Sequence, residues 1–245
     1  MILVDYNQLI IAATHMVAKT PVSGDTEHSP LGLTRHLVWN MLRTYRRKFY
    51  DQYGELVLCC DHGPYWRGDV FRYYKHKRKA TQQVASPERT TILDHLSELR
   101  SELSEFSPYK VVSVKGAEAD DIIASLVRAS EFVPTMIVSD DHDFGQLQNA
   151  LFLSQYQPRK KALFHTQSPA LVLRRHIIEG DTGDGVPNFL SDDDSLAVAG
   201  KRQRPLKNIG QYLDLNISPD SFCTTPEMKH GWTRNQKLVD RKSVV

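Results

Sequence analysis

Acidic residues follow each of four predicted strands of this 245-residue chain. Short β-branched runs predict the strands, and stretches of helical periodicity separate them, which favours a parallel sheet with crossover helices. The predicted strands are Ile2 to Tyr6, Leu56 to Cys60, Lys110 to Val114 and Thr135 to Ser139. Open parallel sheets bind ligands beyond the carboxyl ends of their strands. The acidic residues at those ends, and in one later loop, are Asp5, Asp61, Glu118, Asp120, Asp121, Asp141, Asp143, Asp181 and Asp184.

Carboxylates gathered at one edge of a sheet repel one another and need cations to stay ionised. Oxygen ligands without a histidine or cysteine partner favour hard ions such as Mg²⁺, for which Mn²⁺ is the expected substitute. Two such ions about 4 Å apart hydrolyse phosphodiesters by activating the attacking water and stabilising the leaving oxygen. The acidic set therefore predicts metal-assisted phosphodiester hydrolysis with two Mg²⁺ ions.

The alternative for each acidic residue is a helix cap or a turn. Asp5 taken alone is more often a cap, and Asp120 and Asp121 taken alone complement a helix dipole. The run Asp192 to Asp194 is interpreted as a solvated cap and left out of the site. Acid at four strand ends and in one following loop nevertheless favours a shared site.

Helical spacing and capping residues predict the elements between the strands. The apolar residues from Leu33 to Phe49 form one side of a helix with a basic exterior. Further helices are predicted from Ser86, from about Glu118 and from Ser168 to Ile178, and the rest of the chain is predicted to be helical.

The composition fits a compact enzyme. With 40% hydrophobic residues and a net charge of +2, the chain can bury a substantial core. Its three cysteines fit neither a disulfide framework nor a zinc spacing. The N-terminus does not resemble a signal peptide, and no run approaches membrane-spanning length. We therefore expect a soluble protein of the reducing cytoplasm that does not contact a membrane.

The segment from Tyr65 to Arg78 interleaves cationic and aromatic side chains, as is typical of sites for phosphates and unstacked bases. The alternative is a solvated helix face with some aromatic rings in the core. A second basic group follows the acidic cap and is predicted to hold duplex, although such a loop alone is usually soluble surface. The predicted nucleic-acid contacts are Tyr65, Arg67, Arg72, Tyr74, Lys75, Lys77, Arg78, Lys201, Arg202 and Arg204.

Three motifs resemble successive motifs of the 5′-nuclease superfamily, which includes flap endonucleases and the 5′-nuclease domain of bacterial DNA polymerases. They are Ala117-Glu-Ala-Asp-Asp121, Val138-Ser-Asp-Asp-His-Asp-Phe144 and Gly180-Asp-Thr-Gly-Asp-Gly-Val-Pro187. The segment from Tyr65 to Arg78 is similar to the phage branch of the family, the T-even phage ribonucleases H. The resemblance covers about the first 190 residues.

This resemblance implies a PIN-like α/β catalytic domain at residues 1–180, with a mainly parallel sheet flanked by helices and a basic arch at 62–107. It implies a smaller helical, duplex-binding region at 181–245, shortened at its C-terminus. All nine acidic residues would bind metal, directly or through water. Asp5, Asp61 and Asp120 would be catalytic together with Lys75 and Arg67. In the arch, Tyr74 would stack on a base, while Arg67, Lys75 and Arg78 would steer the scissile phosphate.

The implied substrates are DNA with a 5′ flap or fork and RNA–DNA hybrid, cut by a monomer in the cytoplasm, the host cytoplasm for a phage-encoded protein. A polymerase and a single-strand-binding protein are the expected partners. His142 departs from the family, which commonly has glycine there. The alternatives are a PIN-type single-strand ribonuclease and a DNA-binding replication accessory with a degenerate site.

Overall fold

A computed structural model of the protein describes residues 1–19, 30–78, 87–148 and 152–241. The chain forms two compact units that interleave along the sequence. Unit 1 comprises Met1–Gly63, Ala85–Asp141 and Ala150–His165, and unit 2 comprises Pro64–Val84, His142–Asn149 and Thr166–Val245. The predicted division at residue 180 and the duplex-binding role of 181–245 stay predictions.

A six-stranded sheet organises the described part of unit 1. Its strands are β1 (Ile2–Asp5), β2 (Leu56–Cys60), β3 (Lys110–Ser113), β4 (Thr135–Val138), β5 (Leu153–Gln157) and β6 (Ala162–Phe164). Their spatial order is β3-β2-β1-β4-β5-β6. All neighbours pair in parallel except β5 and β6, which pair antiparallel. The predicted mainly parallel α/β sheet is thus confirmed.

Helices connect the parallel strands of unit 1. They are α1 (Tyr6–Ala18), α2 (Pro30–Tyr53), α4 (Pro87–Phe106) and α5 (Ala119–Ala129). Alternation along the strands directs Val4, Leu58 and Val138 into one core, to which α1, α2 and α4 contribute their apolar sides. Strand β1 is buried on both faces, and its sequence is accordingly apolar from Ile2 to Val4. This pattern is typical of a central parallel strand.

The regular elements of unit 2 in its described part are helices, joined by loops, with an isolated bridge between Asp181 and Val186. Its elements are α3 (Arg67–Val70), a 3₁₀ helix (His142–Leu147), α6 (Pro169–Glu179), α7 (Gly210–Leu213), α8 (Pro219–Phe222) and α9 (Pro226–Val239). The 3₁₀ helix and α9 both pack against α6. Ser168 caps α6 by accepting a hydrogen bond from the amide of Leu171, as the sequence predicted. The predicted cap at Ser86 lies outside the described residues.

The sequence did not predict β5 and β6. Strand β5 contains three polar residues, of which Gln155 and Gln157 are buried, and their side-chain amides donate to backbone carbonyls just after β4. Tertiary contacts therefore satisfy side chains that give no apolar signal. Within the described ranges, no helix has the length and hydrophobicity needed to cross a bilayer.

Candidate metal-binding site

The parallel register brings the acidic strand ends of unit 1 to one edge of the sheet. Asp5 is aligned with Cys59, and Val4 with Val138, so Asp61 and the residues after β4 emerge beside Asp5. The strand order reverses at this point, since β2 and β3 lie on one side of β1 and β4 lies on the other. Such a switch point is where open α/β sheets bind ligands.

The pKa of Asp5 is raised at this edge of the sheet. Burial, and then the charges of Asp61 and Asp141, raise its pKa to about 7 against the opposing hydrogen bonds from Gln8 and Ser139. The Gln8 amide donates to Oδ1 of Asp5 at 3.1 Å, which also makes Asp5 the N-cap of α1. The interpretation of Asp5 as a cap is therefore confirmed, and its predicted role as a metal ligand stays a prediction. Its carboxylate needs a nearby cation to ionise fully at neutral pH.

A cavity of about 600 Å³ in unit 1 borders Asp5. Its wall is mostly apolar and includes Leu9, Val138 and Tyr156, with Arg159 among the polar residues. An apolar wall disfavours the charged carboxylate and so contributes to the raised pKa.

Asp61 is held at a fixed orientation beyond the end of β2. Its Oδ1 accepts a hydrogen bond from the Ala119 amide at 2.6 Å, and its Oδ2 accepts one from the Asn7 side chain at 3.0 Å. The Ala119 amide lies in the first turn of α5, whose exposed N–H groups favour anions. Asn7 on α1 thereby positions a candidate ligand, a role that the sequence did not reveal.

The acids at the start of α5 differ in role. Asp121 accepts a hydrogen bond from the Glu118 amide at 3.1 Å, and the two residues form a capping box. Both are buried, whereas Asp120 is partly exposed. Asp120 directly follows Ala119, whose amide donates to Asp61, so Asp120 lies at the same edge.

Asp141 follows β4 and is fixed through its backbone. Its amide donates to Oγ of Ser139 at 3.1 Å, and its carbonyl accepts from the side chain of Gln155 at 2.6 Å. Gln155, fully buried on β5, thus holds the loop that carries Asp141. The structure therefore brings Asp141 together with Asp5 and Asp61 in unit 1.

Asp143 and Asp181 converge with a histidine in unit 2. One ligand atom each from Asp143, His176 and Asp181 lies within 4.8 Å of the others. Nδ1 of His176 is 3.4 Å from Oδ1 of Asp143, and its Nε2 is 3.9 Å from Oδ2 of Asp181. The sequence did not predict a histidine here, because His176 is 33 positions from Asp143 and joins the two acids only through the fold. The prediction of oxygen ligands alone stays a prediction.

Asp184 contacts cations and a hydroxyl within unit 2. Its carboxylate accepts a hydrogen bond from Tyr74 at 2.9 Å and lies 3.1 Å from Arg78 and 3.7 Å from Lys75. The next residue, Gly185, packs closely against His76. Its φ is +77°, and a Cβ there would lie 2.7 Å from Nδ1 of His76, so this position requires glycine. The predicted metal role of Asp184 stays a prediction.

Two predicted nucleic-acid contacts are buried. Arg67 has no exposed surface, and its Nε donates to the carbonyl of Leu238 at 2.8 Å. Tyr74 is 2% exposed, so its ring packs in the protein and is not presented for base stacking. In this structure both residues stabilise unit 2, a correction to the predicted phosphate-steering and stacking roles. The aromatic residues of this segment follow its alternative interpretation as part of a core.

The other predicted basic contacts are more accessible. Arg72, Lys77 and Arg78 are exposed, while Tyr65 and Lys75 are half-buried. In the second group, Lys201 lies 2.6 Å from Asp194, Arg204 lies 3.5 Å from Asp192, and Arg202 is exposed. The acidic run thus partly neutralises the basic loop, and duplex binding there stays a prediction.

Two residues of α9 hold the acidic loop of unit 2. Arg234 donates to the carbonyls of Pro187 and Asn188, and Asn235 donates to those of Ile177 and Pro187. Both side chains are buried. Sequence reasoning missed them, and missed Asn7, Gln155 and His176, because their partners are distant in the chain. No local spacing marks such residues.

The comparisons with known proteins agree with this architecture. The family model for the N-terminal resolvase-like domain of 5′–3′ exonucleases matches residues 1–171. The ribonuclease H of Enterobacteria phage T4 is 29% identical over 248 residues, covering 97% of this chain and 80% of the phage protein.

Two solved structures share the fold. A zinc-bound structure of T5 5′-exonuclease has a TM-score of 0.72 at 16% identity, covering 99% of this chain and 90% of that one. A T5 flap endonuclease complex with DNA and metal ions has a TM-score of 0.67 at 14% identity, covering 99% and 89%. With the family model matching more than half of its length, the chain belongs to the 5′–3′ exonuclease family and is a nuclease.

Proposed function

We propose that this nuclease hydrolyses phosphodiesters near the 5′ end of DNA flaps, forks or RNA–DNA hybrids, with Mg²⁺ held by the carboxylates of unit 1. The observation that supports the proposal is the parallel register at the switch point of the sheet, where Asp5 is aligned with Cys59 and Val4 with Val138, so that Asp61 and Asp141 follow strands on either side of Asp5. A divalent cation there stabilises all three in their charged form.

The donor set of unit 1 fits a hard divalent ion. Asp5, Asp61, Asp120 and Asp141 offer carboxylate oxygens, and Mg²⁺ accepts such ligands while it keeps several waters. Bound magnesium supplies an activated water and neutralises charge on the phosphate. Mn²⁺ offers similar chemistry and is the expected substitute.

The chain's own residues orient these ligands. The Ala119 amide and Asn7 fix both oxygens of Asp61, and Gln155 fixes the loop of Asp141. Rigid placement matters because small displacements of catalytic groups lower rates strongly. Glu118 and Asp121 stabilise the first turn of α5 and so hold Asp120 in place.

The basic segment of unit 2 supports a phosphate-binding role. Lys75 and Arg78 lie at Asp184, and the exposed Arg72 and Lys77 add positive charge nearby in the sequence. We propose that Lys75 and Arg78 contact the phosphates of the 5′ strand and offset developing charge. The T5 flap endonuclease complex with DNA and metal ions supports a nucleic-acid substrate for this fold.

Asp120→Asn tests the assignment. The substitution removes one charge and keeps the side-chain shape, so cleavage of a 5′-flap substrate in Mg²⁺ should fall by roughly 10³-fold or more. Binding of the same substrate, measured by fluorescence anisotropy, should change less than about threefold because phosphate contacts dominate affinity. The control is Asp94→Asn, an exposed acid on α4. Retained cleavage by Asp120→Asn would reject the assignment.

Product mapping identifies the working substrate. A 5′-labelled forked DNA yields short products if the enzyme removes nucleotides stepwise, and one long fragment if it cuts at the fork. The same assay with single-stranded RNA separates this activity from that of a PIN-type ribonuclease. Loss of activity in EDTA and recovery with added metal separate the enzyme from a DNA-binding accessory. That the protein is a monomer, and that a polymerase or a single-strand-binding protein is its partner, stay predictions.

A further inference from the structure

An open groove in unit 1 lies between α4 and β3, outside the acidic site. Its volume is about 540 Å³. Its polar lining comprises Arg100, Ser101, Ser104 and Glu105 of α4, Ser113 of β3, and His62, which follows β2. A guanidinium, an imidazole and three hydroxyls make the groove suit an anion better than an apolar ligand. Glu105 is the one acid among these residues and lies more than one helical turn beyond Arg100.

Arg100 gives the strongest reason to expect an anion in this groove. Its side chain is partly buried, and its Nη1 donates to the carbonyl of Asp61 at 3.5 Å, which is a long and weak hydrogen bond. Within the described ranges, its guanidinium forms no ion pair with a carboxylate. A partly desolvated cation without a paired carboxylate is stabilised by a bound anion.

Hydrogen-bond donors surround the same groove. Oγ of Ser113 lies 3.3 Å from Nδ1 of His62, which leaves Nε2 of His62 for a ligand. Ser101 and Ser104 are three positions apart on α4 and therefore share one face of the helix. In the part of the chain that the structure describes, the exposed hydroxyls of these two serines bond to no protein atom. The groove therefore offers several donors to the oxygens of one anion.

The groove begins beside the acidic edge of the sheet. His62 directly follows Asp61, and Arg100 contacts the carbonyl of Asp61. Lys115 is exposed, and the amide of the next residue, Gly116, donates to the carbonyl of His62 at 2.7 Å. A further cation thus lies at this end of the groove. A strand whose phosphate is bound at the acidic edge can therefore continue into the groove.

We propose that this groove binds the backbone phosphates of a single-stranded 5′ arm, with Arg100 as the cation and His62 and the serines as hydrogen-bond donors. Proteins that hold single strands commonly use a positively charged groove that follows the backbone. A cube of 540 Å³ is only about 8 Å wide, whereas the major groove of duplex DNA alone is about 12 Å wide. The inference deepens the proposed function and rests on it for the identity of the strand.

Fluorescence anisotropy in EDTA tests the proposal, because it measures binding in the absence of cleavage. The substrates are a duplex with a single-stranded 5′ arm of about 10 nucleotides and the same duplex with a blunt end. Arg100→Gln should lower the affinity for the armed duplex by about fivefold or more. It should also reduce the slope of log affinity against log salt by about 0.7, the value for one phosphate contact of a single strand. The affinity for the blunt duplex should change less than about twofold.

Ser104→Glu is a second test that leaves Arg100 in place. Ser104 is exposed and glutamate favours helix, so the variant should fold normally. Its added negative charge should repel the phosphates and lower the affinity for the armed duplex by a similar factor. The matched controls are Gln52→Glu, exposed on α2, and Arg128→Gln, exposed in the last turn of α5. Both controls should keep the affinity for the armed duplex within about twofold.

Three results would overturn the assignment. An equal loss of affinity for both substrates in Arg100→Gln and Ser104→Glu would identify a duplex contact. Unchanged affinity for the armed duplex in both variants would remove the groove from the substrate path. Binding of inorganic phosphate, followed by nuclear magnetic resonance and abolished by Arg100→Gln while the affinity for the arm stays unchanged, would identify a site for free anions only.

The nuclease proposal is tested separately from this inference. Absence of cleavage in Mg²⁺ with every substrate would defeat the proposed function. The comparison of armed and blunt duplexes would still decide whether the groove binds a single strand, because that comparison needs no cleavage.

Discussion

Replacing Asp5 with asparagine should stabilise the metal-free protein at pH 8, although it removes a candidate catalytic residue. The folded protein raises the pKa of Asp5 from its ordinary 3.8 to about 7, mainly through burial and then through Asp61 and Asp141. The folded state therefore binds more protons than the unfolded chain between these values. The contribution of Asp5 to the free energy of unfolding is therefore fully present at low pH and is lost as the pH rises from about 4 to about 7.

The magnitude follows from the difference between the two values. Each pKa unit corresponds to about 1.4 kcal/mol, so ionising Asp5 in the folded protein costs up to about 4 kcal/mol. Asp5 as a whole residue is partly exposed, so we reduce this upper value and expect Asp5→Asn to gain about 2 kcal/mol at pH 8. Asparagine keeps the cap, because its side-chain oxygen also accepts the Gln8 amide.

Urea denaturation in EDTA measures the effect. The variant should exceed the unsubstituted protein in free energy of unfolding at pH 8 and differ by less than about 1 kcal/mol at pH 4. Added Mg²⁺ should reduce the stability gain of Asp5→Asn, because the ion stabilises the charged form of Asp5 in the unsubstituted protein. Asp51→Asn, an exposed acid of α2, should change stability by less than about 0.5 kcal/mol at both pH values. A destabilised Asp5→Asn protein at pH 8, or an equal gain at both pH values, would refute the reasoning.

Three further predictions concern packing and metal. Gly231→Ala should lower the free energy of unfolding by about 3 kcal/mol in urea denaturation, because the new Cβ would lie 2.0 Å from the carbonyl oxygen of Phe189. The control is Gly210→Ala, which should cost almost nothing because no atom lies within 4 Å of a Cβ there. Arg67→Ala should cost about 3 kcal/mol, since it removes a buried charge bonded to Leu238; lower cleavage with unchanged stability would instead restore its phosphate-steering role. Millimolar Mg²⁺ should raise the melting temperature in calorimetry by a few degrees, more at pH 8 than at pH 5, and a shift independent of pH would contradict metal binding at Asp5.

The sequence by itself determined the parallel core and its acidic edge. Strands such as β1 are buried on both faces and must be apolar, so their composition reveals them and the acid that ends them. The parallel arrangement then places Asp5 and Asp61 at the same edge, whatever the details of packing. Local rules also sufficed for the cap at Ser168, which needs only its own turn.

Only the tertiary structure decided which side chains join across distant segments. His176 meets Asp143 because α6 packs on the 3₁₀ helix, and Gln155 can occupy a buried strand because carbonyls after β4 accept its amide. The same holds for Arg67, whose charge and aromatic neighbours suggested nucleic-acid contact but whose guanidinium lies inside unit 2. Burial and long-range hydrogen bonding depend on the summed packing of many segments, so residue type and local spacing do not determine them.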